Sequence, residues 1–197
     1  MAEHEPCVGA TDDWYTPPGI FAALGLTFDL DPCSPGADHW VPARRVYTIA
    51  DDGLAQPWAG LVFMNPPFGG RHGHVPWLAR FLIHGNGIAI VRAYTSSGWF
   101  HDHAPQADAW LFPRGKTQFI RGNDMVSTDR RGGRTEHKAG TRGASPGHGV
   151  ILLGMGSVAV EALARSGLGI FVDRRAALAE GSEPAVHTMR DAGERDG

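Results

Sequence analysis

Residues 61–91 leave this chain the fewest choices. Leu61-Val62-Phe63-Met64 is a short unbroken apolar run, the pattern of a strand buried on both faces. Asn65-Pro66-Pro67-Phe68-Gly69-Gly70 stops it, because proline has a fixed φ and no N–H for the ladder. After the polar loop Arg71-His72-Gly73-His74, Val75-Pro76 opens a helix with proline in its first turn. Trp77, Leu78, Phe81 and Leu82 recur at helical spacing, and Gly85 to Gly87 end the helix. Ile88-Ala89-Ile90-Val91 is a second buried strand. Strand, loop, helix and strand make a right-handed crossover, which places Asn65 to Phe68 on the carboxyl edge of a sheet. Open α/β sheets bind ligands at that edge. The expected fold class is therefore α/β, with a mixed, mostly parallel sheet.

The chemistry offered at that edge is narrow. Asn65 brings a side-chain acceptor, Pro66 and Pro67 bring carbonyls with no N–H of their own, and Phe68 brings a flat face. An aromatic amine uses all three. The exocyclic nitrogen of adenine is a poor nucleophile because its lone pair is delocalised into the ring. Two acceptors, the Asn65 side chain and the Pro66 carbonyl, would draw that nitrogen toward tetrahedral geometry and aim its lone pair outward. Stacking on Phe68 would hold the base, at roughly 1–3 kcal/mol, once it had left the duplex. A strand-ending Asn-Pro turn also suits the same tetrapeptide, so the rest of the chain has to decide.

With 197 residues, 42% hydrophobic and 20% charged, the chain can bury a sizeable core as one globular unit. Its net charge of −3 gives no global basic field, so any nucleic-acid contact must come from a local patch. Two cysteines, Cys7 and Cys33, are too few for a disulfide framework and suit a reducing compartment. The first residues do not read as a signal peptide, and no apolar run approaches the ~20 residues of a membrane span; no membrane partner is expected.

Residues 1–11 read as a flexible terminus. A helix follows at 19–24 and a strand at 27–31, which ends in Asp31-Pro32-Cys33-Ser34-Pro35-Gly36. A strand that runs into an acid and small residues is the usual entrance to a nucleotide-type site, although Gly-x-Gly-x-x-Gly and Walker patterns are absent. Residues 46–49 read as a strand and Asp51-Asp52-Gly53-Leu54 as a turn. Residues 94–100 read as a loop leading to a short helix near 101–103, and 109–112 and 117–120 as strands. Residues 121–148 are Gly-rich and basic: Arg121, Arg130, Arg131, Arg134, His137, Lys138 and Arg142 outnumber Asp124, Asp129 and Glu136. This predicts a mobile loop that contacts phosphate. A strand at 150–153, a helix at 158–165, a strand at 168–172 and a disordered polar tail from 174 complete the chain. His72-x-His74 and His101-x-His103 have no matching Cys or carboxylate cluster, so no metal is expected and these histidines read as solvated or DNA-facing. Trp58, Trp77 and Trp110 read as core.

Trp14-x-Thr16-Pro17, Asp29-Leu30-Asp31-Pro32-Cys33, Asp52-Gly53-Leu54, Trp58, Asn65-Pro66-Pro67-Phe68, Trp99-Phe100 and Gly115-Lys116-x-x-Phe119 occur in that order. Over residues 12–172 the chain thereby resembles the phage-type DNA N6-adenine methyltransferase family. The resemblance implies a Rossmann-like methyltransferase domain over 12–173, S-adenosyl-L-methionine as cofactor, double-stranded DNA as partner and the cytoplasm of a bacterial host. It also implies roles. Thr16 and Pro17 would form the N-terminal cofactor motif. Asp31, Pro32 and Cys33 would hold the methionine moiety, and Asp52, or alternatively Asp51, would read the cofactor adenine. Asp38 is the one candidate for the ribose. Asn65, Pro66, Pro67 and Phe68 would hold the target base, and Lys116, Arg121, Arg130, Arg131 and Arg134 the DNA. Two positions depart from the family pattern. Phe68 stands where Tyr is commoner, and Lys116 stands where Arg is frequent, without the bidentate fork. Two alternatives stay open: the same fold acting on cytosine N4 or an RNA base, and a non-catalytic DNA-binding decoy.

Overall fold

A computed structural model describes residues 14–36, 39–67, 73–122, 124–128, 133–142 and 149–175. The expectations for the termini, Asp38, Phe68, His72, Arg130 and Arg131 lie outside the described residues. The 61–91 stretch forms strand β4 (Val62–Met64), helix α2 (Val75–His84) and strand β5 (Gly87–Arg92), and the two strands pair in parallel with Phe63 opposite Ile88. Gly87 permits that pairing: a Cβ there would lie 2.1 Å from the Val62 carbonyl oxygen. Gly85, at φ 72°, closes α2 by returning its N–H to Phe81.

Upstream lie β1 (Trp14–Tyr15), α1 (Pro18–Leu24), β2 (Phe28–Asp31) and β3 (Ala43–Val46). Downstream come α3 (Gly98–His103), β6 (Ala109–Pro113), β7 (Ile120–Arg121), β8 (Met125–Thr128), β9 (Arg134–His137), β10 (Val150–Met155), α4 (Ser157–Arg165) and β11 (Gly169–Asp173). A 7-stranded sheet has the order β11-β6-β10-β5-β4-β2-β3. β3, β2, β4 and β5 are mutually parallel. β10 enters antiparallel between β5 and β6, which restores β6 to the direction of β5, and β11 is an antiparallel edge. The sheet is thus mixed, with most strands sharing one direction.

Alternation within β5 builds both layers of the core. Ile88 and Ile90 face the layer that holds Phe21, Phe28, Phe63 and Leu163, while Ala89 and Val91 face Leu78, Phe81 and Trp99. α1 and α4 cover the first face, α2 and α3 the second.

Five expectations are corrected. The strand expected at 46–49 lies at Ala43–Val46, and Ile49 is 99% exposed. That strand is an edge strand with exposed arginines, so no apolar run marks it. Of 117–120 only Ile120 enters a strand, paired with β1. The segment read as a loop over 121–148 contains the two-stranded ribbon β8–β9, with Met125 opposite His137 and Thr128 opposite Arg134. A ribbon outside the main sheet needs no buried face, and its sequence therefore lacks the alternation that signals a strand. α3 begins at Gly98, which carries Trp99 and Phe100 into the core. His74, read as solvated, is buried with its ring edge-on to Trp99 at 4.4 Å.

Candidate active site

Three loops meet at the carboxyl ends of β2, β3 and β4. The first follows β2. Asp31 is 3% exposed, and its Oδ1 accepts the Cys33 N–H at 3.1 Å, a turn that Asp forms readily. Burial pushes its pKa from 3.8 up to about 7, against the pull of the Cys33 amide. Burial, and then the charge of Asp31, push the Cys33 thiol well up; a hydrogen bond from the Asn65 backbone amide acts the other way. Cys33 is therefore a protonated thiol.

The second loop follows β3. Gly53 lies against the first: a Cβ on it would stand 1.9 Å from the Pro32 carbonyl oxygen. No other residue type fits between these backbones. Asp52 takes φ 53°, a left-handed conformation that Asp tolerates better than most residues. Asp51 is spent on the turn, accepting both the N–H and the hydroxyl of Thr48 at 2.7 and 2.8 Å, which lowers its pKa. Of these two neighbouring acids, Asp52 lines the cavity. Trp58 Nε1 donates to the Gly53 carbonyl at 2.8 Å, and Arg80 on α2 donates to the carbonyls of Leu54 and Gln56. The Arg80 guanidinium also lies over the Trp58 ring at 5.1 Å. α2 thus clamps the turn.

The third loop starts at Asn65. Its Nδ2 donates to the Trp14 carbonyl at 2.7 Å, which leaves Oδ1 as its only acceptor. That Oδ1 is buried and has no hydrogen-bond partner among the described residues; the same holds for Thr16 Oγ1. The Trp14–Thr16 segment is held from outside. Trp40 Nε1 donates to the Thr16 carbonyl at 2.7 Å, and the Tyr15 and Trp40 rings meet edge-on at 5.2 Å.

Together these loops enclose a cavity of about 430 Å³. Of the residues singled out in the sequence, Thr16, Asp31, Pro32, Cys33, Asp52, Asn65 and Pro67 line it. Pro17 and Pro66 are not among the lining residues: the Pro17 carbonyl accepts the Ile20 N–H at the start of α1, and Pro66 is buried. Lys116 and Arg134 are exposed, whereas Arg121 is 7% exposed with its guanidinium 4.7 Å over the Trp14 ring. The sequence reading missed His39, Trp40, Ile49 and Trp77 as lining residues. Trp77 carries the signal of a core position on a helix, and only the first turn of α2 brings it to the cavity rim. Among the described residues no group of His, Cys, Asp and Glu is placed to hold a metal, and no helix is long and apolar enough to cross a membrane.

A protein-family model, DNA N-6-adenine-methyltransferase (Dam), matches residues 6–135 of the 197. The chain belongs to this family. It is a DNA adenine-N6 methyltransferase. The matched span contains every residue that lines the cavity. β10, α4 and β11 lie beyond it, although β10 is internal to the sheet. No curated protein and no solved structure matches the chain.

Proposed function

We propose that this cavity seats S-adenosyl-L-methionine beside an adenine flipped out of double-stranded DNA, and that Asn65 is the residue that activates the adenine amine. The observation that carries this reading is the Asn65 side chain. Its donor end is engaged by the Trp14 carbonyl, and its acceptor end is buried, without a described partner, at the cavity. A Rossmann-like assignment is supported by the parallel β2-β4-β5 set and by a cavity at the carboxyl ends of its strands.

The residues present fit the cofactor. Thr16 Oγ1 is a buried polar atom in need of a partner, and Asp31 is a buried carboxyl that an ammonium group would ionise. Thr16, Asp31, Pro32 and Cys33 would hold the methionine moiety, with Pro17 setting the start of α1 behind them. Asp52 would accept from the adenine amino group. When bound, the cofactor supplies an electrophilic methyl group.

The protein's own part is positioning and polarisation. Asn65 Oδ1 accepts one N–H of the target amine, and the Pro66 carbonyl is the second acceptor in this reading. The nitrogen lone pair is then directed away from both. Pro67 and Phe68 flank the base. Neutral acceptors suffice because the methylated amine is acidic and loses its proton readily. Lys116 and Arg134, with Arg130 and Arg131, supply local positive charge for the DNA backbone. A phage or prophage enzyme acting in the host cytoplasm suits this set of properties.

The test is N65A, assayed with tritiated S-adenosyl-L-methionine and duplex DNA, followed by nucleoside analysis. Turnover falls at least about 10²–10³-fold, the loss typical of a single polarising group, while cofactor affinity by calorimetry stays close to wild type. Loss of cofactor affinity instead places Asn65 in the cofactor site and overturns the assignment.

A further inference from the structure

We infer that Arg121 is a positioning residue for Asn65, and that through it the β8–β9 ribbon is mechanically joined to the target-base pocket. The inference rests on the reading of Asn65 as the acceptor for the target amine.

In the sequence Arg121 is one cation among many in a basic stretch, suited to phosphate. In the fold it is buried, with its guanidinium 4.7 Å over the Trp14 indole. A cation over a tryptophan face is attracted to it, and more strongly where water is excluded. Arg121 is also the β-ladder partner of Trp14 in the β1–β7 pair. Side chain and backbone therefore fix the same residue. Trp14 in turn presents the carbonyl that accepts Asn65 Nδ2 at 2.7 Å.

That carbonyl decides which way the amide faces. A primary amide has a donor end and an acceptor end of nearly the same shape. With the donor end on Trp14, Oδ1 is the end left for an incoming amine. Were Trp14 displaced, the amide could rotate and set N–H against N–H. A two-residue ladder such as β1–β7 is marginal on its own; the Arg121–Trp14 stack supplies what the ladder lacks.

The opposite side of Arg121 is tied to the ribbon. Its N–H donates to the Thr141 carbonyl at 3.0 Å, and its carbonyl accepts the Gly140 N–H at 2.9 Å. Residues 140–141 follow β9, so the ribbon that carries exposed Arg134 is rooted on the residue that holds Trp14.

The test compares R121A, R121K and N65A in the full chain, with tritiated S-adenosyl-L-methionine and duplex DNA at several salt concentrations. R121A is expected to lower kcat by about 10–100-fold, the scale of a misplaced reacting group. KM for DNA, its salt dependence and cofactor affinity are expected to stay unchanged. R121K, which keeps a cation over the indole, recovers part of kcat. A raised KM for DNA with a flatter salt slope and unchanged kcat makes Arg121 a phosphate contact and overturns the inference. Equal loss of cofactor affinity and melting temperature in R121A and R121K makes it merely structural and also overturns it. Should R121A fail to fold, R121K and W14F decide, since Phe keeps the carbonyl but offers a weaker face. A reduced kcat in both supports the inference, and a wild-type kcat in both overturns it. N65A separates the two levels. If N65A turns over normally, the reading of Asn65 itself fails; if N65A is inactive while R121A is normal, only the role of Arg121 fails.

Discussion

Asp31 holds a proton near neutral pH because burial, offset only in part by the Cys33 amide, raises its pKa from 3.8 to about 7. Between those values the folded protein keeps a proton that the unfolded chain has released. The stability this group contributes is complete below about pH 4 and is lost as pH rises through 7. The ligand-free melting temperature should fall from pH 5 to 7.5 relative to D31N, whose amide cannot titrate. A cationic group bound beside Asp31 would favour its ionised form. At pH 6, S-adenosyl-L-methionine binding should therefore release a proton, visible by calorimetry in buffers of differing ionisation enthalpy; D31N should release none through this route. Single residues were only half legible in the sequence. Asn65 is recognisable as an acceptor from its neighbours, but its orientation depends on Trp14, 51 positions away. Arg121 shows the limit from the other side. Nothing in a basic stretch distinguishes a cation destined for water from one destined for an indole face.

The 51–54 turn is the element on which the cofactor side of the cavity depends. Its place is set by Gly53, whose missing side chain lets it meet Pro32, and by the two hydrogen bonds from Arg80. Gly53→Ala cannot be accommodated without moving one loop, at about 1–3 kcal/mol in stability. Cofactor affinity should drop with it. Arg80→Ala leaves the cavity walls intact in composition but frees the turn. It should raise KM for S-adenosyl-L-methionine more than it lowers kcat; a change confined to kcat would show that the clamp serves something else. The turn was legible because Asp and Gly state their backbone preference locally. The apolar strands β4, β5 and β10 were legible because burial on both faces demands unbroken hydrophobic runs. β3, at the sheet edge, and β8–β9, outside the sheet, are under no such demand, and their residues conceal them.

Across the whole molecule the net charge is −3, so attraction to DNA falls to local cations rather than to a global field. The ribbon contributes exposed Arg134, whereas Lys138 is already paired with Asp124 at 2.8 Å. Arg134→Ala should weaken DNA binding about equally across sequences and reduce the salt slope by about 1. K138A should change the slope less, because the exposed pair already offsets that charge. A fluorescence titration at several salt concentrations measures both. The insertion of β10 between β5 and β6 has a separate consequence, for synthesis. β5 and β6 leave the ribosome well before residues 150–155 exist, so until then each keeps an apolar edge with open N–H and C=O groups. Such edges recruit other chains. A product terminated anywhere between β6 and β10 would thus carry every residue that lines the cavity and still be a substrate for aggregation or proteolysis.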